Sequence, residues 1–362
     1  MAEAGKELLS EGENCWKRSS IVRGAFMIGG ETYFSAFRKA VINAERSVNI
    51  LAWDLMEDIE LVRGKEPDDD FPVKLADFLF AVAEARPSLE IRILLWDYSL
   101  VYVAERDWLL FSRWKQNGHP RVILEQDHEI NIGASHHQKL VVIDGDFAFC
   151  GGLDLSAWRW DSTEHKVDDP RRVDPDGNPY QPYHDIHMAV TGQAARDLNE
   201  LFRMRWERAT GETLARPGCE RSGKVWPDDL PTDFDNAESG IAFTYSEYKD
   251  YAACRQIEQL HLDLIRHAQR YIYIENQYLS SHLIVEAIVA RLQETNGPEV
   301  VLILTYDTGG WLEEGTLGLL RDRLLERLNE ADLHDRLGIY YPYVENESGE
   351  SSQVYVHAKL LI

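Results

Sequence analysis

One order of elements occurs twice along this chain. Residues 31–46, ETYFSAFRKAVINAER, place Tyr33, Phe34, Phe37, Ala40, Val41 and Ala44 on one helical face. An apolar strand follows, SVNILAWDL (47–55). A second helix, PVKLADFLFAVAEA, opens at Pro72 and stops before Pro87. The strand EIRILLWD (90–97), a helix near 107–117 and a strand at 121–126 come next. From Tyr251 the order restarts: helix ACRQIEQLHLDLIRHAQ, strand RYIYIENQYL (270–279), helix HLIVEAIVARLQET, strand EVVLILTYDTG (299–309), helix LLRDRLLERLNEA, strand LGIYYPY. Each copy then reaches a histidine-x-lysine, in ASHHQKLVVIDGD (134–146) and in VYVHAKLLI (354–362). With Trp53 aligned on Asn276, the histidine lies 84 residues on in the first copy and 81 in the second.

A period this long excludes a solenoid. Helices alternating with short apolar strands indicate an α/β fold. The expectation is two duplicated lobes, each a mixed β-sheet flanked by helices, related by a pseudo-two-fold axis with the active site at their interface. The predicted boundaries are an N-terminal extension (1–20), a first lobe (21–214), a Pro/Gly/Asp-rich linker (215–240) and a second lobe (241–362). The stretch 168–183, DDPRRVDPDGNPYQPY, reads as a surface excursion or a lid. The second copy is short. Trp206, near the end of a helix, lies 69 positions past His137, whereas five residues follow His357. This reads as a piece of a longer chain whose second lobe would continue into a hairpin and a helix.

Strand side chains alternate, so His137 and Lys139 are expected to share a face, as are His357 and Lys359. Asp144, completing His-x-Lys-x4-Asp, has the opposite parity and is expected to brace the hairpin. A neutral imidazole is a good nucleophile at phosphorus, and an imidazolium is a good general acid. Lysine is a compact charge for phosphate oxygens. Two such pairs meeting across one phosphorus would let one histidine attack while the other protonates the leaving alcohol, with both lysines holding the non-bridging oxygens. A phosphohistidine would form and be hydrolysed, and no metal or other cofactor is required. The plainer alternative is two structural histidines with snorkelling lysines.

At these residues the chain resembles the phospholipase D superfamily. SHHQKLVVIDGDFAFCGGLDLSAWRWD is similar to that family's first HxKxxxxD motif and its following glycine-rich segment, here Gly151-Gly152-Leu153-Asp154. YIYIENQYL and VYVHAKLLI are similar to the segments leading into and forming the second motif, and GENCWK (12–17) to the opening of bacterial members close to the eukaryotic type. The resemblance implies His137 as nucleophile, His357 as general acid/base, and Lys139 and Lys359 as phosphate ligands. It also implies that Asp185, in PYHDIHMAV, hydrogen-bonds the nucleophile. Gly152, Asp154, Asn276 and Trp160 are candidate substrate-binding residues, with Trp158, Trp160 and Tyr183 considered as a headgroup pocket. Read without the family, His184-x-x-His187 is a metal half-site lacking a completing ligand.

The implied activity is hydrolysis of the distal phosphodiester of glycerophospholipids to phosphatidic acid and alcohol, with transphosphatidylation. A cardiolipin-synthase-like phosphatidyltransferase and an inactive lipid-binding member are the alternatives. A nuclease is disfavoured, because 38 Lys+Arg against 62 Asp+Glu give a net charge of −24 and no basic footprint for nucleic acid. Cys15, Cys150, Cys219 and Cys254 are scattered, as in a reducing compartment. No secretory leader and no spanning apolar run are read, so a cytoplasmic protein with peripheral membrane contact is expected. Headgroup, acyl preference and oligomeric state are not legible.

Overall fold

The computed structural model describes residues 8–97, 114, 118–131, 133–216, 224–306 and 318–362. The strands of the first half are β1 (Lys17–Ile28), β2 (Ser47–Ala52), β3 (Glu90–Trp96), β4 (Val122–Asp127), β5 (Leu140–Ile143), β6 (Phe147–Gly151), β7 (Tyr183–His184), β8 (Ile186–Gly192) and β9 (Phe234–Ile241). Those of the second half are β10 (Thr244–Tyr245), β11 (Cys254–Arg255), β12 (Tyr271–Asn276), β13 (Glu299–Leu304), β14 (Leu337–Tyr340), β15 (Tyr343–Glu345), β16 (Ser351–Gln353), β17 (Tyr355–Val356) and β18 (Leu360–Leu361). The expected helix near 107–117 lies outside the described residues except for Trp114, as do Cys219 and residues 307–309 at the end of the expected strand 299–309.

The large sheet has the order β4-β3-β2-β5-β6-β8-β1-β9, and the small one β14-β13-β12-β18. In the first, β2 is parallel to β3, β3 is parallel to β4, and β2 is antiparallel to β5. In the second, β12 is parallel to β13, β13 is parallel to β14, and β12 is antiparallel to β18. One arrangement is thus built twice, with β12 standing for β2 and β18 for β5. The fold is the duplicated mixed α/β architecture read from the repeat.

Burial follows the alternation of strand side chains. Val141 and Ile143 of β5 join one apolar cluster, while Leu140 and Val142 join a cluster on the opposite face. The first cluster packs under the helix Gly30–Ile42, whose Tyr33, Phe34, Phe37, Ala40 and Val41 recur at helical spacing and are buried. The second packs under the helix Gln193–Thr210 through Leu198, Phe202 and Trp206. A strand covered on both faces reads as a continuous apolar run. Each such side chain contributes about 1.5–3 kcal/mol on burial. The small sheet has its own core, including Ile272, Ile274, Val300, Leu302 and Leu328.

The expected boundaries differ from the structure in two places. β1 begins at Lys17, inside the expected extension, and β9 lies inside the expected linker. β1 pairs with β8 over Ile21–Ile28 on one side and with β9 over Lys17–Gly24 on the other. β9, FDNAESGI, carries Asp, Asn, Glu, Ser and Gly because it is an edge strand held by its backbone, so apolar periodicity does not reveal it. The stretch 168–183 keeps residues 175–179 exposed, as a surface excursion does, but is anchored at its base. Arg172 is buried within it, bonded to the Asp161 carboxylate and to the carbonyls of Lys166, Val167 and Tyr180.

The lobes meet through backbone. β17 pairs in parallel with β7, where Tyr355 N–H donates to Pro182 O at 2.8 Å and His357 N–H to His184 O at 2.8 Å. Among the described residues no helix is long and apolar enough to cross a membrane.

Candidate active site

Both histidine-lysine pairs stand just before a strand rather than within it: β5 starts at Leu140 and β18 at Leu360. The segments carrying them run just ahead of these strands, and the second is held to the first lobe by the bond from His357 N–H to His184 O. The rings of His137 and His357 come to 5.9 Å between centroids. The adjacent His136 takes a different part. It is buried, with Nε2 3.3 Å from Asp127, whose other carboxylate oxygen binds Arg205. Of the two neighbouring histidines, His137 is the one that faces the cleft.

Asp185 is fully buried, and its Oδ2 lies 2.6 Å from Nδ1 of His357. This corrects the expectation that Asp185 bonds His137. The parallel β7–β17 pairing sets residue 185 beside residue 357, and that pairing belongs to the tertiary structure. Burial pushes the Asp185 carboxyl up to about 7, against the opposing pull of Lys359, the Ile186 amide, Lys139 and Arg159. Burial, then Lys359, Arg159 and Lys139, holds His357 well below the ordinary imidazole range. Desolvation, then Lys139, Lys359 and Arg159, lowers His137 too, although this residue is exposed. Both imidazoles are therefore neutral in the empty site. The 2.6 Å contact fits Nδ1–H of His357 donating to Asp185, which leaves Nε2 bare.

Lys139 is buried, and its Nζ lies 3.0 Å from Asp154. Asp154 also accepts from the backbone N–H groups of Trp53 and Asp54 at 3.0 and 3.2 Å, so it is pinned where β2 ends. Burial lowers the Lys139 ammonium, and Asp154 counteracts this. Asp154 thus holds a site lysine instead of facing a substrate. The Lys359 ammonium donates to the carbonyl of His357.

The remaining expected residues fall around this centre. Asp144 accepts from the N–H groups of Glu45, Arg46 and Ser47 at 2.7–2.9 Å, tying the β5–β6 turn to the entry of β2. Gly152 is packed against Asp185, and a Cβ there would sit 2.1 Å from Oδ1. Its place is explained by that carboxylate, not by a substrate contact. Asn276 accepts from the N–H groups of Tyr278 and Leu279, capping the turn after β12. Trp160 is only 1% exposed and is enclosed by the guanidinium groups of Arg63 and Arg171, 5.1 and 4.9 Å from its ring. It belongs to the core, which corrects its expected place in a headgroup pocket. Tyr183 is stacked on Tyr355 at 5.7 Å, whereas Trp158 is exposed.

His184 and His187 diverge. His187 is buried against the Tyr33 ring at 4.1 Å. His184 bonds Glu275 of the second lobe at 3.0 Å and His165 at 3.3 Å, and His165 bonds Asp161 at 2.9 Å. Among the described residues no three His, Cys, Asp or Glu converge on a metal-holding position. The reading from sequence missed this chain of contacts and missed Arg159. The guanidinium of Arg159 lies 5.2 Å from the Tyr183 ring, and that ring is 5.5 Å from His357. The only sequence signal for it is its place five residues past Asp154. A cavity of about 230 Å³ opens beside His137, walled by Glu129, Ser135, Gln138, Arg208, Tyr245 and Ser246.

Comparison with known proteins bears on this geometry. The family model for phospholipase D matches residues 40–239, more than half of the 362. Phospholipase D alpha 1 of Ricinus communis is 26% identical over 325 residues, covering 69% of this chain and 40% of that protein. Phospholipase D A of Dictyostelium discoideum is 24% identical over 389 residues, covering 92% of this chain and 30% of that protein. The chain thus spans well under half the length of these relatives. The crystal structure of phosphatidylserine synthase from Haemophilus influenzae Rd KW20 superposes with a TM-score of 0.58 over 95% of this chain and 77% of that one, at 13% identity, a likeness of fold. A family match over most of the first lobe, on a duplicated fold that brings two histidine-lysine pairs to one cleft, identifies this chain as a member of the phospholipase D family.

Proposed function

We propose that the protein is a phosphodiesterase that hydrolyses the distal phosphodiester of glycerophospholipids, giving phosphatidic acid and a free alcohol. The observation that carries this reading is the 5.9 Å approach of the His137 and His357 rings, one from each lobe. A phosphoryl group fits between two imidazoles so spaced, each flanked by a lysine.

In the first step His137 attacks phosphorus. The N–P bond forms as the P–O bond to the headgroup alcohol breaks, and His357, charged on Nε2 by a proton taken up with the anionic diester, gives that proton to the alcohol. Asp185 suits His357 to this part, because a carboxylate on Nδ1 fixes the tautomer and stabilises the imidazolium. In the second step His357, now neutral, takes a proton from water as the oxygen attacks phosphorus and the N–P bond breaks. Lys139 and Lys359 offset the charge gathering on the non-bridging oxygens. An alcohol in place of water gives transphosphatidylation. The cavity beside His137 suits an alcohol group entering or leaving. The lipid is reached by peripheral contact from the cytoplasmic side, since a chain of net charge −24 has no broad attraction to an anionic bilayer.

The test is incubation of the protein with phosphatidylcholine vesicles containing ethanol, with lipid products identified by mass spectrometry. Phosphatidic acid and phosphatidylethanol are expected, and an acid-quenched sample should carry phosphate on His137. A protein that binds the vesicles without either product is a non-catalytic member. One that turns over phosphatidylglycerol alone, joining two lipids, is a transferase.

A further inference from the structure

Arg159 is a site cation that forms no ion pair and no hydrogen bond among the described residues. Its Nε is buried without an acceptor, and its recorded neighbour is the face of the Tyr183 ring at 5.2 Å. Guanidinium carries five N–H donors in a planar fork, and a charge removed from water is costly unless an anion meets it. Asp154 and Asp185 favour its charge without bonding it, and other cations crowd the same cleft. Arg159 is close enough to lower the titration of His137, Lys139 and His357, and is felt by Lys359 as well.

The backbone under this side chain is held firmly. Trp160 is wedged between Arg63 and Arg171, and Gly30 approaches so closely that a Cβ there would sit 2.3 Å from Arg159 O. The adjacent Asp161 accepts from Arg172 at 2.9 Å and from the Tyr183 N–H at 2.8 Å. The guanidinium thus stands on a rigid base, over the Tyr183 ring that neighbours His357. Meanwhile Lys139 is already committed to Asp154.

We infer that Arg159 is a third cation of the phosphate site, its fork receiving phosphoryl oxygens of the bound diester that Lys139, held by Asp154, only half neutralises. The inference rests on the reading of this cleft as a phosphodiesterase site. Bidentate guanidinium–phosphate contact is short, directional and stronger than a neutral hydrogen bond. Arg159 then shares with Lys359 the work of drawing a phosphodiester between the two histidines.

Inorganic phosphate is the probe, because its binding needs no turnover. Binding to the whole protein is measured by calorimetry for wild type, Arg159→Ala and Arg159→Lys, with thermal midpoints alongside. Losing a charge-assisted hydrogen-bonding group should weaken phosphate about 10- to 100-fold in Arg159→Ala, and Arg159→Lys should recover part of it. In diester turnover the loss should fall on kcat/KM. NMR titration should show the His357 imidazole titrating at higher pH in Arg159→Ala, since a neighbouring positive charge is gone. A folded Arg159→Ala protein that binds phosphate as wild type does, with His357 unshifted, overturns the inference. Should Arg159→Ala not fold, Arg159→Gln, which also removes the charge, decides by the same measurements. A wild type that binds phosphate through Arg159 yet cleaves no phosphodiester leaves the anion site standing and removes the proposed reaction.

Discussion

Asp185 of the first lobe and His357 of the second, 172 residues apart in sequence, share a hydrogen bond of 2.6 Å in a site closed to solvent on the Asp185 side. The bond joins the lobes at the point where the chemistry is placed. Asp185→Asn keeps the shape but offers an amide to Nδ1, favouring the wrong tautomer. Turnover should fall about 10⁴-fold, as when the orienting carboxylate of a catalytic triad is lost. Steady-state release of phosphatidic acid checks this, and a kcat near wild type would separate the Asp185 bond from catalysis.

Gly152 leaves the space that the Asp185 carboxylate fills, with 2.1 Å between a Cβ and Oδ1. Gly152→Ala should displace Asp185 and cost about 1–3 kcal/mol in stability as an overpacked site. The kinetic defect should resemble that of Asp185→Asn. Denaturant unfolding and kinetics on the same preparation measure both effects.

Lys139 and Asp154 form a buried pair at 3.0 Å. Removing one partner strands the other, so Asp154→Ala should cost about 3–5 kcal/mol. Adding Lys139→Met to that variant should restore much of the stability without restoring turnover. If the single and double variants unfold at the same urea concentration, the pair is not what holds this part of the lobe.

Phosphate binding should take up protons near pH 7. His137 and His357 are both depressed by desolvation and by the cations around them, so they are neutral in the empty cleft. An oxyanion offsets those cations and raises both imidazoles, and a proton follows. Calorimetry in two buffers of different ionisation enthalpy reports the uptake, and equal apparent enthalpies would mean that none occurs.

Asp127 governs stability in acid. Its carboxyl is held well below the ordinary range: burial opposes this, and His136 and Arg205 outweigh burial. A depressed folded-state carboxyl contributes stability that is complete above the unfolded value, about 4, and is lost as pH falls through the folded value. Asp127→Asn should flatten the acid limb of the stability profile and cost about 3–5 kcal/mol at neutral pH. A variant whose stability declines in acid as steeply as wild type would place the acid sensitivity elsewhere.

Local chemistry made much of this protein legible in the sequence. The helical stripe of Tyr33, Phe34 and Phe37, the apolar runs of β2, β3 and β5 and their repetition as β12, β13 and β18 follow from burial, which acts on each segment where it stands. The two histidine-lysine pairs were visible because spacing along the chain is itself sequence information. Pairings between distant segments were not visible. That Asp185 meets His357, that Asp154 belongs to Lys139, that β9 closes the edge of the first sheet and that Trp160 is shut between two arginines are consequences of how the lobes and layers dock. Such contacts depend on the distance between residues far apart in the chain, which no local pattern of side chains encodes, so only the folded structure decided them.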